Sequence, residues 1–195
     1  MNRIKELVLC TGNPGKVKEL ELMLPPGIIV HSLADKGLPM DLPETGATLE
    51  ANALLKARCA FERCGIACLA DDTGLEVDAL GGRPGVRSAR YAGEAKDPAA
   101  NMALLLKELD GSPDRSARFR TVLALVTATA EHTFEGTVEG EITVVPSGAG
   151  GFGYDPVFRP TGHGATFAEM DADTKNAIGH RGRAMRALVS FLRKD

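Results

Sequence analysis

The sequence predicts an α/β fold on two observations. Short strand-like runs alternate with stretches of helical spacing along most of the chain, the arrangement that builds a sheet covered by helices. Two late runs, 118–127 (rich in β-branched residues) and 133–145 (alternating), lie close together and predict adjacent, antiparallel strands, so the sheet is expected to be mixed. At 195 residues the chain fits one compact domain, or two lobes sharing a sheet, and a single domain over 1–195 is expected.

Residues 7–10 form the first strand candidate. They run into Thr11-Gly12-Asn13-Pro14-Gly15-Lys16, a loop by its Gly/Pro content, and residues 17–24 then carry helix formers at helical spacing. A second strand is expected over 28–31. Between Thr48 and Cys64, residues Leu49, Ala53, Ala57, Ala60 and Cys64 recur at three and four, and Gly65 supplies the stop. Residues 66–70 read as a short buried strand ending on Asp71-Asp72-Thr73-Gly74, and residues 81–93 as one ordered loop. Asp97 caps, and Pro98 opens, a helix to Leu109. Residues 147–156 cannot be regular, Val157-Phe158 make a brief strand, and a last helix covers 182–192.

Composition excludes several functions. With 23 basic against 26 acidic residues, there is no field to hold a nucleic-acid backbone, so no polymeric DNA or RNA partner is expected. The longest mild-to-apolar run, 122–130, falls far short of the roughly 18 residues a membrane helix needs, and no secretory signal is apparent. A cytoplasmic address is the expectation. Four cysteines, Cys10, Cys59, Cys64 and Cys68, are too few and clustered for a disulfide scaffold, and their apolar flanks read as core rather than zinc ligands.

Several groups could carry chemistry. Thr11 to Lys16 join a strand to a helix start, where backbone amides, the helix dipole and one cation can hold phosphate; the same residues also suit an ordinary turn. The stretch is not a Walker A sequence. Residues 148–153 match G-x-G-x-x-G formally, but Pro156 after Asp155 denies the helix a dinucleotide fold needs there. The flanking glycines instead suit a loop that lays Phe152 or Tyr154 against a planar base, or a turn whose aromatics pack inward. Asp71, Asp72 and Glu44 offer hard oxygens of the kind Mg²⁺ accepts when water and phosphate complete its shell. In an extended chain Asp72 shares a face with the small residues Ala70 and Cys68 while Asp71 points elsewhere, which favours Asp72 as the metal contact. The bland alternative has the pair hydrogen-bonding a turn before Gly74. Lys56, one helical turn after Asn52, borders an apolar stripe. Lys175, His180 and Arg181 gather donors shortly before the last helix. Covalent acyl chemistry lacks a nucleophile motif.

Taken in order, TGNPGK (11–16), Glu44-Thr45-Gly46 with Asn52-Ala53 and Lys56-Ala57, ADDTG (70–74), SARY (88–91), GFGYDP (151–156) and His180-Arg181-Gly182 resemble the inosine/xanthosine triphosphate pyrophosphatase family over about residues 7 to 190. That resemblance implies hydrolysis of deaminated purine nucleoside triphosphates to monophosphate and pyrophosphate, with Mg²⁺, usually by a homodimer. It also implies a long bent mixed sheet flanked by helices, in two lobes around a central nucleotide cleft. Residue by residue, it implies that Thr11, Gly12, Asn13, Pro14, Gly15 and Lys16 hold the triphosphate, with Lys56 as a second cation. Glu44 and Asp72 would hold the metal, with Asp72 also the proton acceptor, Asp71 close behind it, and Thr73 touching substrate. Phe152, Gly153, Tyr154 and Asp155 would form the base platform, and Lys175, His180 and Arg181 would clamp the nucleotide. Gly179 departs from the Ser common in the family, and Leu49 from an aromatic. Action on other modified or pyrimidine triphosphates, or a non-catalytic nucleotide-binding regulator, are the alternatives.

Overall fold

The computed structural model describes residues 4–193. In chain order it contains β1 (Glu6–Leu9), α1 (Pro14–Met23), β2 (Ile29–Ser32), α2 (Leu49–Cys64), β3 (Cys68–Val77), β4 (Pro84–Gly85), α3 (Pro98–Glu108), β5 (Ser116–Val126), β6 (Glu131–Ile142), β7 (Phe158–Pro160), α4 (Ala172–Ile178) and α5 (His180–Leu192). The strands form one sheet in the order β2-β1-β3-β5-β6-β7, with β4 paired to β3. Pairing is parallel for β1 with β2 and with β3, and antiparallel for β3 with β4 and β6 with β7, so the sheet is mixed as expected.

Local chemistry sets the ends of these elements. The Thr48 hydroxyl accepts from the Ala51 amide at the start of α2, and Gly65, at φ 65°, turns the chain out of it in the left-handed region. Asp97 caps α3 ahead of Pro98. The chain divides into two compact units. The first holds the chain up to Asp72, Thr121–Gly136 and the chain from Arg181. Its core joins Leu7 and Leu9 of β1, Leu20, Leu69, Leu123 and Leu125 to Ala184, Met185 and Leu188 of α5. The second, Thr73–Arg120 and Thr137–His180, packs Leu75, Val77, Leu105, Leu109, Phe119, Phe158 and Phe167. Phe119 and Phe158 meet edge to face, with ring centroids 4.7 Å apart.

Four expectations need correction. The strand expected to end at the aspartate pair runs on to Val77, because the Leu75 amide finds the Ser88 hydroxyl, the Val77 amide finds the Arg83 carbonyl, and β4 pairs alongside. No turn therefore follows Asp72. The loop expected over 81–93 contains β4 and a 3₁₀ turn, Ser88–Arg90. Pro14, Gly15 and Lys16, expected in a loop, already form the first turn of α1, where proline needs no amide partner. His180 and Arg181 open α5 instead of preceding it, and a short helix, α4, capped by Asp171, comes before them.

Cys10 and Cys68 are buried and Cys59 and Cys64 half-buried, and all four thiols are free. No helix among the described residues is long and apolar enough to cross a membrane.

Candidate active site

Strand alternation sends the two neighbouring aspartates of β3 to opposite faces, and each meets its own cations. On one side Lys56 Nζ donates to Asp72 Oδ1, Glu44 Oε1 and the Asp71 carbonyl, each at 2.8 Å. Asp72 is 7% exposed, and its Oδ2 is buried with no hydrogen-bond partner among the described residues. Burial pushes the Asp72 carboxyl up, against the pull of Lys56 and Lys16. It also works against the Lys56 ammonium, but Asp72 and Glu44 raise that group above its ordinary value.

On the other side Asp71, 1% exposed, ion-pairs with Lys16 through Oδ1 and accepts from Arg181 Nε through Oδ2 at 2.8 Å. A further guanidinium nitrogen of Arg181 binds Glu19. Burial alone would raise the Asp71 carboxyl, but the Arg181 and Lys16 charges outweigh it and hold it well below the usual carboxylate range. So the two aspartates differ in kind. Asp71 is a fixed counter-ion, whereas Asp72 keeps an oxygen with nothing bound to it.

The loop after β1 is locally ordered. Asn13 Oδ1 accepts from the Gly15 and Lys16 amides at 2.9 and 3.3 Å, and Thr11 Oγ1 accepts from the Asn13 amide at 3.2 Å. At Gly12 a Cβ would stand 3.2 Å from the Met40 carbonyl oxygen, so a side chain would crowd the backbone there. Glu44 is placed through its neighbour: the Gly46 amide donates to Asn52 Oδ1 at 2.7 Å, and a Cβ on Gly46 would fall 2.8 Å from that same oxygen. Asn52 and Lys56, one turn apart on α2, thus fix the Glu44 segment at its backbone and at its carboxylate. Replacing Asn52 by Ala should leave the half-buried Gly46 amide without this partner, at about 1 kcal/mol in unfolding free energy, with lower activity as well. Denaturant unfolding beside a rate assay checks this; a variant equal to the parent in both would remove Asn52 from the site.

The second unit assembles another group. Lys175 Nζ lies 4.7 Å from the Phe152 ring centroid and 5.8 Å from that of Phe167, and donates to Asp155 Oδ2 at 2.8 Å. The Phe152 amide donates to that same oxygen at 2.7 Å. Gly151, at φ 71°, is obligatory here, since a Cβ would sit 2.2 Å from Asp155 Oδ2. Phe152 is half-buried, whereas Tyr154 turns inward: it is 5% exposed and its hydroxyl donates to the Ser88 carbonyl at 2.9 Å. Gly153 takes φ 63°. His180 stacks on Phe119 with centroids 4.7 Å apart and an interplanar angle of 19°. Thr73 is half-buried on β3. Arg181 belongs to the first unit with Asp71, while Lys175 and His180 belong to the second.

The model of the Ham1 family matches residues 7–191. The chain belongs to the Ham1 family. It is 48% identical over 187 residues to a dITP/XTP pyrophosphatase of Flavobacterium johnsoniae, covering 96% of this chain and 97% of that one. It is also 48% identical to a dITP/XTP pyrophosphatase of Porphyromonas gingivalis, over 97% of this chain and 98% of the other. Among solved structures, a Ham1 protein of Staphylococcus aureus superposes with a TM-score of 0.89 at 39% identity, covering 97% of this chain and 99% of that one. A HAM1 protein of Coxiella burnetii gives 0.90 at 39% identity, covering 98% and 100%.

Some site residues of this Ham1 chain carry no motif of their own. Glu19 meets Arg181 from α1, and its one available signal is its position three residues after Lys16 on the same helix. Phe119 and Phe167, which flank His180 and Lys175, read in sequence as ordinary core. At Gly179 a Cβ would lie 2.6 Å from the Lys175 carbonyl oxygen, so this backbone admits glycine and a serine would have to shift it.

Proposed function

We propose that this chain hydrolyses deaminated purine nucleoside triphosphates, ITP, dITP and XTP, to the monophosphate and pyrophosphate, with Mg²⁺ as cofactor. The observation that carries the reading is the buried, unpartnered Oδ2 of Asp72 beside Glu44 and Lys56, in a chain whose Ham1 relatives are named dITP/XTP pyrophosphatases. An orphaned carboxylate oxygen in a set of hard donors fits a divalent cation. Glu44 and Asp72 would hold it. No group of three or more His, Cys, Asp or Glu among the described residues is arranged to hold a metal alone, so water and phosphate oxygens would complete the shell. When bound, Mg²⁺ supplies charge neutralisation at the phosphates and acidifies a water.

The chain's own residues do the rest. Asp72, raised by burial, accepts the proton of the water that attacks the α-phosphorus. Thr11, Gly12, Asn13, Pro14, Gly15 and Lys16 form the turn at which the start of α1 and the Lys16 ammonium face the phosphates, and Lys56 stabilises the departing pyrophosphate. Asp71 holds Lys16 and Arg181 in place and takes no proton, because both its oxygens are engaged by cations.

For the base, the Phe152 ring offers a stacking face and the Lys175 ammonium a donor beside it. Inosine and xanthosine carry an acceptor oxygen at C6, where adenosine carries an amino group. A donor-rich site then leaves adenine with facing hydrogens, a mismatch that gives discrimination of about 10⁴. Thr73 and His180 complete the substrate contacts, with Gly153, Tyr154 and Asp155 shaping the loop under the base. We assign a homodimer, to be checked by light scattering. A panel of ITP, XTP, dITP, GTP, ATP and dTTP, scored for pyrophosphate release, tests the reading. The first three should exceed ATP by about 10⁴ in kcat/KM. Preference for dTTP would move the chain to another substrate class, and binding without turnover would make it a sensor.

A further inference from the structure

Resting on the reading that Glu44 and Asp72 hold the divalent cation, we propose that Lys56 is the resident counter-cation of that pair. Ammonium and metal compete for the same oxygens, so metal binding releases Lys56 toward the phosphates.

The contacts carry this. An ammonium has three N–H donors and no acceptor, and Lys56 spends one each on Glu44 Oε1, Asp72 Oδ1 and the Asp71 carbonyl. A lysine so bound has no donor left for a phosphate oxygen. Serving the carboxylates and serving the nucleotide are therefore alternative positions of one side chain. The exchange leaves the backbone in place, because Lys56 sits on a sixteen-residue helix capped at both ends and only its four-carbon stem has to change rotamer. Asp72 Oδ2, buried but without a hydrogen-bond partner among the described residues, offers the first contact, since a cation can bind it before any Lys56 hydrogen bond has to break.

Two consequences distinguish this role from that of a plain phosphate-binding lysine. Lys56 holds one oxygen of each carboxylate 2.8 Å from a single ammonium, which keeps the pair ordered; and it lowers their affinity for metal, because two cations cannot share one set of oxygens. By linkage, whatever draws Lys56 away, nucleotide phosphates above all, tightens the metal, and metal tightens nucleotide by the same factor.

The test is Mn²⁺ binding to the nucleotide-free protein, read by electron paramagnetic resonance of the free ion. Lys56→Met should bind Mn²⁺ more tightly, on the order of tenfold, while its kcat/KM for ITP falls. Lys56→Arg, which keeps the charge, should show no gain in Mn²⁺ affinity. Weaker or unchanged binding in Lys56→Met would overturn the proposal, since a merely structural lysine would loosen the carboxylates. Should that variant fail to fold, lysine-selective ¹⁵N NMR of the unaltered protein decides: the Lys56 ammonium signal should shift or vanish as Mg²⁺ is added, and persistence at saturation refutes competition. Glu44→Gln and Asp72→Asn separate this from the underlying reading. If both still bind Mn²⁺ like the parent, the metal site itself is elsewhere and the exchange falls with it; if both lose Mn²⁺ while Lys56→Met gains nothing, only the exchange falls.

Discussion

Asp72→Asn should reduce pyrophosphate release from ITP by about 10³-fold or more, because it removes a proton acceptor and a charged metal ligand in one step. The fold should survive. The carboxylate is buried and raised by its surroundings, so its charged form sits at a cost that the neutral amide does not carry. The amide oxygen can still accept from Lys56. Rate measurement beside thermal unfolding checks both halves. A variant with near-parental turnover would take the proton acceptor away from this position, and one that fails to fold would make Asp72 a structural residue.

Asp71→Asn should do the reverse to the fold. Its carboxylate neutralises Lys16 and Arg181 at a site 1% exposed, and of these two cations Arg181 also pairs with Glu19. Breaking a buried pair from one side costs about 3–5 kcal/mol, which in a chain of this size lowers the midpoint of thermal unfolding on the order of 10 °C. The pH dependence follows with a fixed sign. The folded carboxyl is depressed, so its stabilisation is fully present above the unfolded value of about 3.9 and is lost as pH falls toward the folded one. The variant should lack that part of acid sensitivity. Unfolding scans from neutral pH downward test it, and parallel curves for the two proteins would mean that Asp71 contributes nothing by its charge.

The division of labour between these neighbours was partly legible in the sequence. Period-two geometry alone placed Asp72 and Asp71 on opposite faces, and Thr48 and Gly65 bounded α2 because cap chemistry is local. The partners were not legible, since nothing in residue order says that Lys56 meets Glu44, twelve positions earlier, and Asp72, sixteen later. The length of β3 escaped for a related reason: its continuation is held by a two-residue strand and a serine hydroxyl, both distant in the chain. The glycine-rich loop has no period to read, so sequence left Phe152 and Tyr154 equivalent, and packing separated them by tying the Tyr154 hydroxyl to Ser88.

Placing adjacent aspartates on opposite faces of one strand ties the chemistry to an exact count of residues. Loss or gain of a single position between Leu69 and Asp71, with the pairing Val8 to Cys68 and Leu9 to Leu69 preserved, would present each carboxylate to the other's lysine. Such an indel would scramble the reaction while leaving hydropathy almost untouched. Length variation among relatives should accordingly avoid this stretch of β3 and collect in loops outside it.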